Sequence, residues 1–148
     1  MRLLFNILAI SGSGMFAGVM LVIGVTLGGY WRSLPASEFL DWFSQNNRFI
    51  ARTIPLVVVP ALLGLTGSLW FGWGALGTRL LWIGALACVT AVLVLTVAWL
   101  VPSNAQFAAK SVPLDQVPAR LDTWIMMHNI RIALAVVASM LGILAIRG

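Results

Sequence analysis

TIPLVVVPALLGLTGSLWFGWGALGTRLLWIGALACVTAVLVLTVAWLVPSNAQFAA, residues 53–109, contains a single charged side chain, Arg79. On either side of that arginine the apolar run exceeds the roughly 20 residues that a helix needs to cross the hydrocarbon core of a bilayer. Glycines and small residues at 74–77 mark a tight turn just before it. The stretch therefore predicts an antiparallel pair of membrane-spanning helices, at about 53–74 and 79–101.

The N-terminal part of the chain is equally apolar. No charged residue occurs at 3–31, which predicts another span at about 4–30. The first residues resemble the start of a secretory signal, but the apolar run continues to Tyr30 without a convincing small-residue cleavage site. We therefore expect this span to be retained.

The last apolar stretch, at 132–146, is too short to cross a bilayer by itself. A full crossing must begin near Thr123, at about 123–146, and it then carries His128 and Arg131 into the membrane or close to it. A cation at that depth is costly and usually marks a buried or water-filled site. The fourth span is therefore where a functional site is expected.

The composition places the whole chain in a membrane. Of its 148 residues, 61% are hydrophobic and 9% are charged, whereas about a quarter are charged in soluble domains. We predict an all-α protein, a single domain at 1–148, that forms a multi-pass four-helix bundle with both termini on the same side, as in a bacterial inner membrane. Its net charge of +5 comes from scattered basic residues, which suits lipid headgroups and not nucleic acid.

Two longer connections, at 32–52 and 103–122, hold all the acidic residues. In the first, Pro35 is expected to open a short interfacial helix that lies on the membrane and caps the bundle. Pro55 suits the first turn of the second span, and Pro60 lies inside it, where proline kinks a helix. The residues on one stripe of the short helix are Phe39, Trp42, Phe43 and Asn46.

Three side chains of the fourth span share one helical face. Trp124, His128 and Arg131 are spaced i, i+4 and i+7. Because a basic group is costly in lipid, we expect this face to point into the bundle or into a wet cavity. The alternative is that Arg131 reaches outward to the headgroups and His128 is an ordinary interfacial histidine.

The topology brings further polar and aromatic groups to the same level, because the first and third spans end where the second and fourth begin. Asn104 is the strongest of these candidates. It follows Pro102, which we expect to mark a helix end, and its amide can hydrogen-bond a neighbouring helix or a ligand. The other candidates for substrate contact at this level are Trp99, Tyr30 and Arg52.

The residue types argue against several kinds of site. One histidine and one cysteine, Cys88, do not supply the several ligands of a zinc or copper centre, so no metal site is expected within one subunit. A single cysteine also excludes a disulfide within the chain. The glycines are embedded in apolar helix, which argues against a phosphate-binding or dinucleotide-binding loop. We therefore predict no cofactor, and a haem held by the single histidine is the alternative that the residues leave open.

The layout and two short motifs resemble the anthrone oxygenase-like family of small four-span membrane proteins. Residues 102–104, PSN, match its Pro-x-Asn pattern. Residues 124–131, WIMMHNIR, match its Trp-x3-His-x2-Arg pattern. The resemblance in layout covers nearly the whole chain, whereas the aromatic, arginine-bearing first loop matches in character only.

Characterised members of that family oxidise polyketide anthrones to anthraquinones with O₂. The resemblance therefore implies a membrane-embedded oxygenase of a flat aromatic carbon acid, with O₂ as co-substrate and no metal. His128 would be the general base, Arg131 would stabilise the developing oxyanion, and Asn104 would donate to the same oxygen. Trp124 and Trp99 would form aromatic walls around the substrate.

A different class of function is compatible with the same residues. A small hydrophobic bundle with ridges of small residues, such as Gly64 with Ser68 and Gly72, also suits a non-catalytic accessory or assembly subunit of a larger membrane complex, or a homo-oligomer. A transporter or channel is the weaker alternative, because no inverted repeat is visible. The expected partners are the lipid bilayer and, for the oxygenase, a hydrophobic aromatic small molecule.

Overall fold

The computed structural model describes residues 1–147, which form long helices and no strand. Each of four helices is long and apolar enough to cross a membrane, so the predicted all-α, multi-pass four-helix bundle is confirmed. Two of them contain a π-helical segment, at Val22–Leu27 and Thr96–Leu100. The helices are α1 (Arg2–Ser33), α2 (Ala36–Phe71), α3 (Leu76–Ala108) and α4 (Val117–Ala145).

The first and last connections between the helices are shorter than the sequence predicted. Residues 34–35, 72–75 and 109–116 lie outside the helices. The end of the bundle that carries 34–35 and 109–116 is termed the loop end. The opposite end carries the 72–75 turn, and Leu3 of α1 and Ile146, which follows α4, line one groove there.

The short helix predicted in the first connection requires a correction, because it is not a separate element. α2 begins directly after Pro35 and runs without a break to Phe71, so residues 36–52 extend the second span. Proline is tolerated at a helix start, where its missing N–H is not needed, and no glycine or proline follows until Pro55. Pro55, expected in a first turn, therefore lies in the helix interior together with Pro60.

α3 continues past Pro102, where the sequence predicted a helix end. In a regular α-helix a proline ring clashes with the carbonyl four residues earlier, here that of Ala98. Ala98 lies in the π-helical segment Thr96–Leu100, whose wider turns change the register of that carbonyl and accommodate the ring. Asn104, expected beyond the helix, is consequently a helical residue.

The helices pack around the bundle in the order α2, α1, α4, α3. α1 packs along both α2 and α4, and α4 packs along α3. The remaining seam is looser, because α2 meets α3 through Leu76–Leu95 and Val101–Ala108 but scarcely at Thr96–Leu100. A gap between α2 and α3 therefore lies beside the π-helical segment of α3.

α1 and α2 approach each other closely at two glycines. A Cβ atom placed on Gly64 would lie 2.1 Å from the backbone nitrogen of Ala9, and one placed on Gly12 would lie 2.6 Å from that of Ala61. No side chain fits at such distances, so both positions need glycine for the two backbones to touch. Gly18, in contrast, has no atom within 4 Å of the equivalent position.

We expect Gly64→Ala to destabilise the bundle. The added methyl group has to push α1 away from α2, and overpacking of this kind typically costs about 1–3 kcal/mol. Thermal unfolding of the purified protein in detergent should therefore show a lower midpoint. Gly18→Ala is the matched control, because it adds the same methyl group in open space, where higher helix propensity favours the folded state. Equal midpoints for the two variants would contradict this packing.

Five aromatic side chains close the loop end of the bundle. Trp31, Phe39, Phe43, Phe107 and Trp124 form a contiguous set with ring centroids 5.1 to 5.9 Å apart, and it is termed the aromatic cluster. Phe39 and Phe43 come from the stripe of the predicted interfacial helix, and both are buried. This stripe therefore faces the bundle interior, which it caps.

Candidate functional site

Near the loop end, a cavity of about 240 Å³ lies between all four helices. Its wall is mostly apolar and carries a few polar side chains, as is typical of ligand pockets. Ile23 of α1 lines it together with Trp124, His128 and Arg131 of α4. The other lining residues, from α2 and α3, are Asn47, Ile50, Ala51, Ile54, Pro55, Thr96, Leu100, Val101 and Asn104.

His128 is held by two hydrogen bonds that define its tautomer. Its Nε2 lies 2.9 Å from the carbonyl oxygen of Met20, and its Nδ1 lies 3.2 Å from Nη1 of Arg131. A carbonyl oxygen only accepts, so Nε2 carries the proton and donates to Met20. A guanidinium only donates, so Nδ1 presents its lone pair to Arg131. The imidazole is therefore neutral, and its basic atom is Nδ1.

α1 approaches His128 at a glycine in its π-helical segment. A Cβ atom on Gly24 would lie 2.9 Å from Cδ2 of His128 and 2.8 Å from Cδ1 of Ile132. Gly24 belongs to the π-helical segment Val22–Leu27. This segment begins two residues after Met20, whose carbonyl oxygen accepts a hydrogen bond from the imidazole. The close approach of α1 to α4 thus depends on glycine at this position, and π-helical turns are frequent at functional sites.

Trp124 connects the imidazole to Asn104. Its ring stacks on that of His128, with the centroids 4.9 Å apart and the planes 10° from parallel. Its Nε1 donates to Oδ1 of Asn104 at 2.7 Å. Because an indole nitrogen only donates, the amide oxygen of Asn104 must face it, and the amide NH₂ group is left to donate elsewhere.

We expect Trp124→Phe to destabilise the folded protein. Phenylalanine keeps an aromatic ring beside His128 but removes the N–H group, which leaves Oδ1 of the partly buried Asn104 without its donor. A fully buried polar group left unsatisfied costs about 1–3 kcal/mol, and this is the upper limit for a partly buried one. The midpoint of thermal unfolding should fall accordingly. Trp99→Phe is the matched control, since Trp99 is partly buried on α3 and does not line the cavity. An equal shift in both variants would argue against the role of this hydrogen bond.

Arg131 brings a buried positive charge that no carboxylate within residues 1–147 neutralises. The residue is 5% exposed, and its Nε has no hydrogen-bond partner in the described part of the chain. The salt bridges within residues 1–147 lie elsewhere, at the loop end, and join Arg32 to Asp122 and Lys110 to Asp41. An unpaired buried charge costs folding free energy. The guanidinium is therefore available to an acceptor that a ligand supplies.

The structure brings together four of the seven predicted site residues. Asn104, Trp124, His128 and Arg131 all line the cavity, so the face of α4 that the spacing singled out points inward. The other three lie outside its lining: Trp99 is partly buried, and Tyr30 and Arg52 are exposed. Across residues 1–147, no group of three or more His, Cys, Asp or Glu side chains is arranged to hold a metal ion.

Two components of the site were missed by sequence reasoning, the Met20 carbonyl and Gly24. A backbone carbonyl leaves no trace in the sequence. Gly24 did leave a signal, because it forms a small-residue pair with Gly28, four positions later. Such a pair is typical of general helix packing, so the spacing alone does not identify Gly24 as the contact that admits His128.

The sequence model of a protein family, described as Anthrone oxygenase, matches residues 42–141 of the chain. This match covers more than half of the chain and includes every lining residue of the cavity except Ile23. No curated protein and no solved structure shows significant similarity to the chain.

Proposed function

Since the chain belongs to the anthrone oxygenase family, we propose that it oxidises a flat aromatic carbon acid of the anthrone type with O₂ in the cavity beside His128. One observation carries this proposal. The neutral imidazole of His128 and the guanidinium of Arg131, which has no carboxylate partner within residues 1–147, line the same apolar cavity. Their nearest nitrogen atoms are 3.2 Å apart. Removal of a carbon-bound proton requires a base and a cation that stabilises the oxyanion, and these two groups supply them.

The first step of the proposed reaction uses the existing hydrogen bonds. The carbonyl oxygen of the substrate replaces Nδ1 of His128 as an acceptor for Arg131. The freed lone pair of Nδ1 takes a proton from the methylene carbon on the opposite side of the central ring, and conjugation carries the negative charge to the oxygen. The amide NH₂ group of Asn104 is a second donor to the enolate oxygen that forms. The hydrogen bond from Nε2 to Met20 keeps the imidazole in place while it carries two protons.

The second step consumes O₂ without a redox group on the protein. The enolate carbon transfers one electron to O₂ and then combines with the superoxide, which forms a carbon–oxygen bond and a peroxide. The imidazolium protonates this peroxide. The neutral imidazole then takes the second proton from this carbon, which breaks the O–O bond, forms the new carbonyl group and releases hydroxide. The imidazolium protonates that hydroxide. One anthrone and one O₂ thus give one anthraquinone and one water.

The test is O₂ uptake by the purified protein in liposomes supplied with a dihydroxyanthrone. Under isotopically labelled O₂, we expect one labelled atom in the quinone and one in water, at a rate above that of protein-free liposomes. An uptake rate equal to the protein-free rate would contradict the proposal. A non-catalytic accessory subunit predicts that result together with stable co-purification of unrelated subunits.

A further inference from the structure

The cavity beside His128 opens sideways, between α2 and α3. Its lining residues on α1 and α4 are all buried. The exposed ones are Ala51 and Pro55 of α2 and Val101 of α3. These three residues surround the gap where α2 scarcely touches the π-helical segment Thr96–Leu100. We term them the lateral mouth.

Towards the loop end, the lining residues Asn47, Asn104 and Trp124 are buried or partly buried. There the aromatic cluster closes the bundle, and the hydrogen bond from Trp124 to Asn104 links α4 to α3 across the top of the cavity. Arg52 is exposed on α2 next to Ala51, and exposed arginines on membrane helices reach to lipid headgroups. The lateral mouth therefore lies at the boundary between headgroups and hydrocarbon.

The interior of the cavity favours a negatively charged ligand. Arg131 is a buried cation without a carboxylate partner within residues 1–147, and the NH₂ group of Asn104 is a second donor beside it. A mouth that opens sideways into the lipid favours a neutral, apolar molecule, whereas this interior favours an anion. A molecule suits both environments if it is a weak acid that loses its proton inside.

We propose that the ligand of this cavity is a lipid-dissolved weak acid that enters in its neutral form through the lateral mouth and is bound as an oxyanion. The hydroxyl proton passes to Nδ1 of His128, and the resulting oxygen anion accepts from Arg131 and Asn104. This inference rests on the proposed function for the site, and it adds the class of substrate and its route. An enol and its carbonyl tautomer give the same anion, so the binding step leads directly into the proposed oxidation.

The experiment uses a probe that binds without reacting. A dihydroxyanthraquinone is a flat weak acid with no acidic carbon-bound hydrogen, and its phenolate absorbs at longer wavelength than its neutral form. In liposomes at a pH where the dye alone stays neutral, the wild-type protein should produce the phenolate absorption. Arg131→Met should reduce its amplitude about tenfold or more, which corresponds to losing one favourable charged contact. A neutral spectrum for dye bound to the wild type would overturn the proposal.

The route is tested by narrowing the lateral mouth. Ala51→Trp, and Val101→Trp from the opposite side, should slow dye binding about tenfold or more. Ala133→Trp is the matched control: Ala133 is exposed on α4, two residues from Arg131, and outside the cavity lining. Each variant is first checked by thermal unfolding. Wild-type binding rates in both mouth variants would overturn the lateral route.

The outcome is separable from that of the proposed function. If the dye binds as phenolate through the lateral mouth but an anthrone is not consumed, the oxygenase activity is refuted and the binding inference stands. If an anthrone is oxidised but the mouth variants bind dye at the wild-type rate, the activity stands and the route is wrong. Added protein-free lipid, which dilutes the dye in the membrane, should slow binding in proportion if entry is lateral.

Discussion

His128→Gln is expected to lower the protein-dependent rate of O₂ uptake with an anthrone by about 10²–10⁴-fold, the range that a general base contributes. The substitution keeps a polar side chain that can donate to the Met20 carbonyl, but it removes the lone pair at Nδ1, which is the basic atom in the observed tautomer. Initial rates in liposomes, corrected for uptake without protein, measure the effect.

The control for this variant is Asn129→Gln, on the next residue of the same helix. Asn129 is exposed and does not line the cavity, so its variant should keep the wild-type rate. Both proteins should unfold with a cooperative thermal transition, which separates loss of the base from loss of the fold. A His128→Gln protein that is folded and oxidises the anthrone at the wild-type rate would remove the imidazole from the mechanism.

The membrane-spanning architecture was predictable from the distribution of charge. The run at 53–109 with Arg79 as its one charge required a helical hairpin, and the shortness of the last apolar stretch required His128 and Arg131 to lie within a span. The helix ends were not predictable in the same way. Hydropathy reports where a chain changes environment, whereas α2 and α3 continue as helices beyond that point, to Ala36 and Ala108.

The candidate site was partly predictable, for a physical reason that separates its residues. Trp124, His128 and Arg131 belong to one helix, and the fixed angle per residue placed them on one face. Tyr30 and Arg52 lie on other helices. For these, the topology predicted the position along the bundle axis but not the direction in which each helix turns its side chains, and both residues are exposed. The two hydrogen bonds of His128 depend on how α1 and α4 pack, which no local pattern encodes.

The largest expected effect after that of His128 is from Arg131→Met, which should lower kcat by about 10²–10³-fold, as removal of an oxyanion-binding donor does. The same variant should unfold at a higher temperature, because methionine fills similar space without burying a charge that lacks a carboxylate partner in the described part of the chain. A lower kcat together with a higher unfolding temperature would show that Arg131 serves the reaction and not the stability of the fold. A purely structural arginine would lose stability and activity together.

Arg131→Lys completes this test, because it keeps the positive charge but loses the planar group that reaches Nδ1 of His128. We expect its kcat to lie between those of the wild type and Arg131→Met, with its thermal midpoint below that of Arg131→Met. Unchanged kcat in the methionine variant would show that the buried charge has no part in the reaction. In that case, stabilisation of an oxyanion would not explain why the protein buries this guanidinium at a cost in folding free energy.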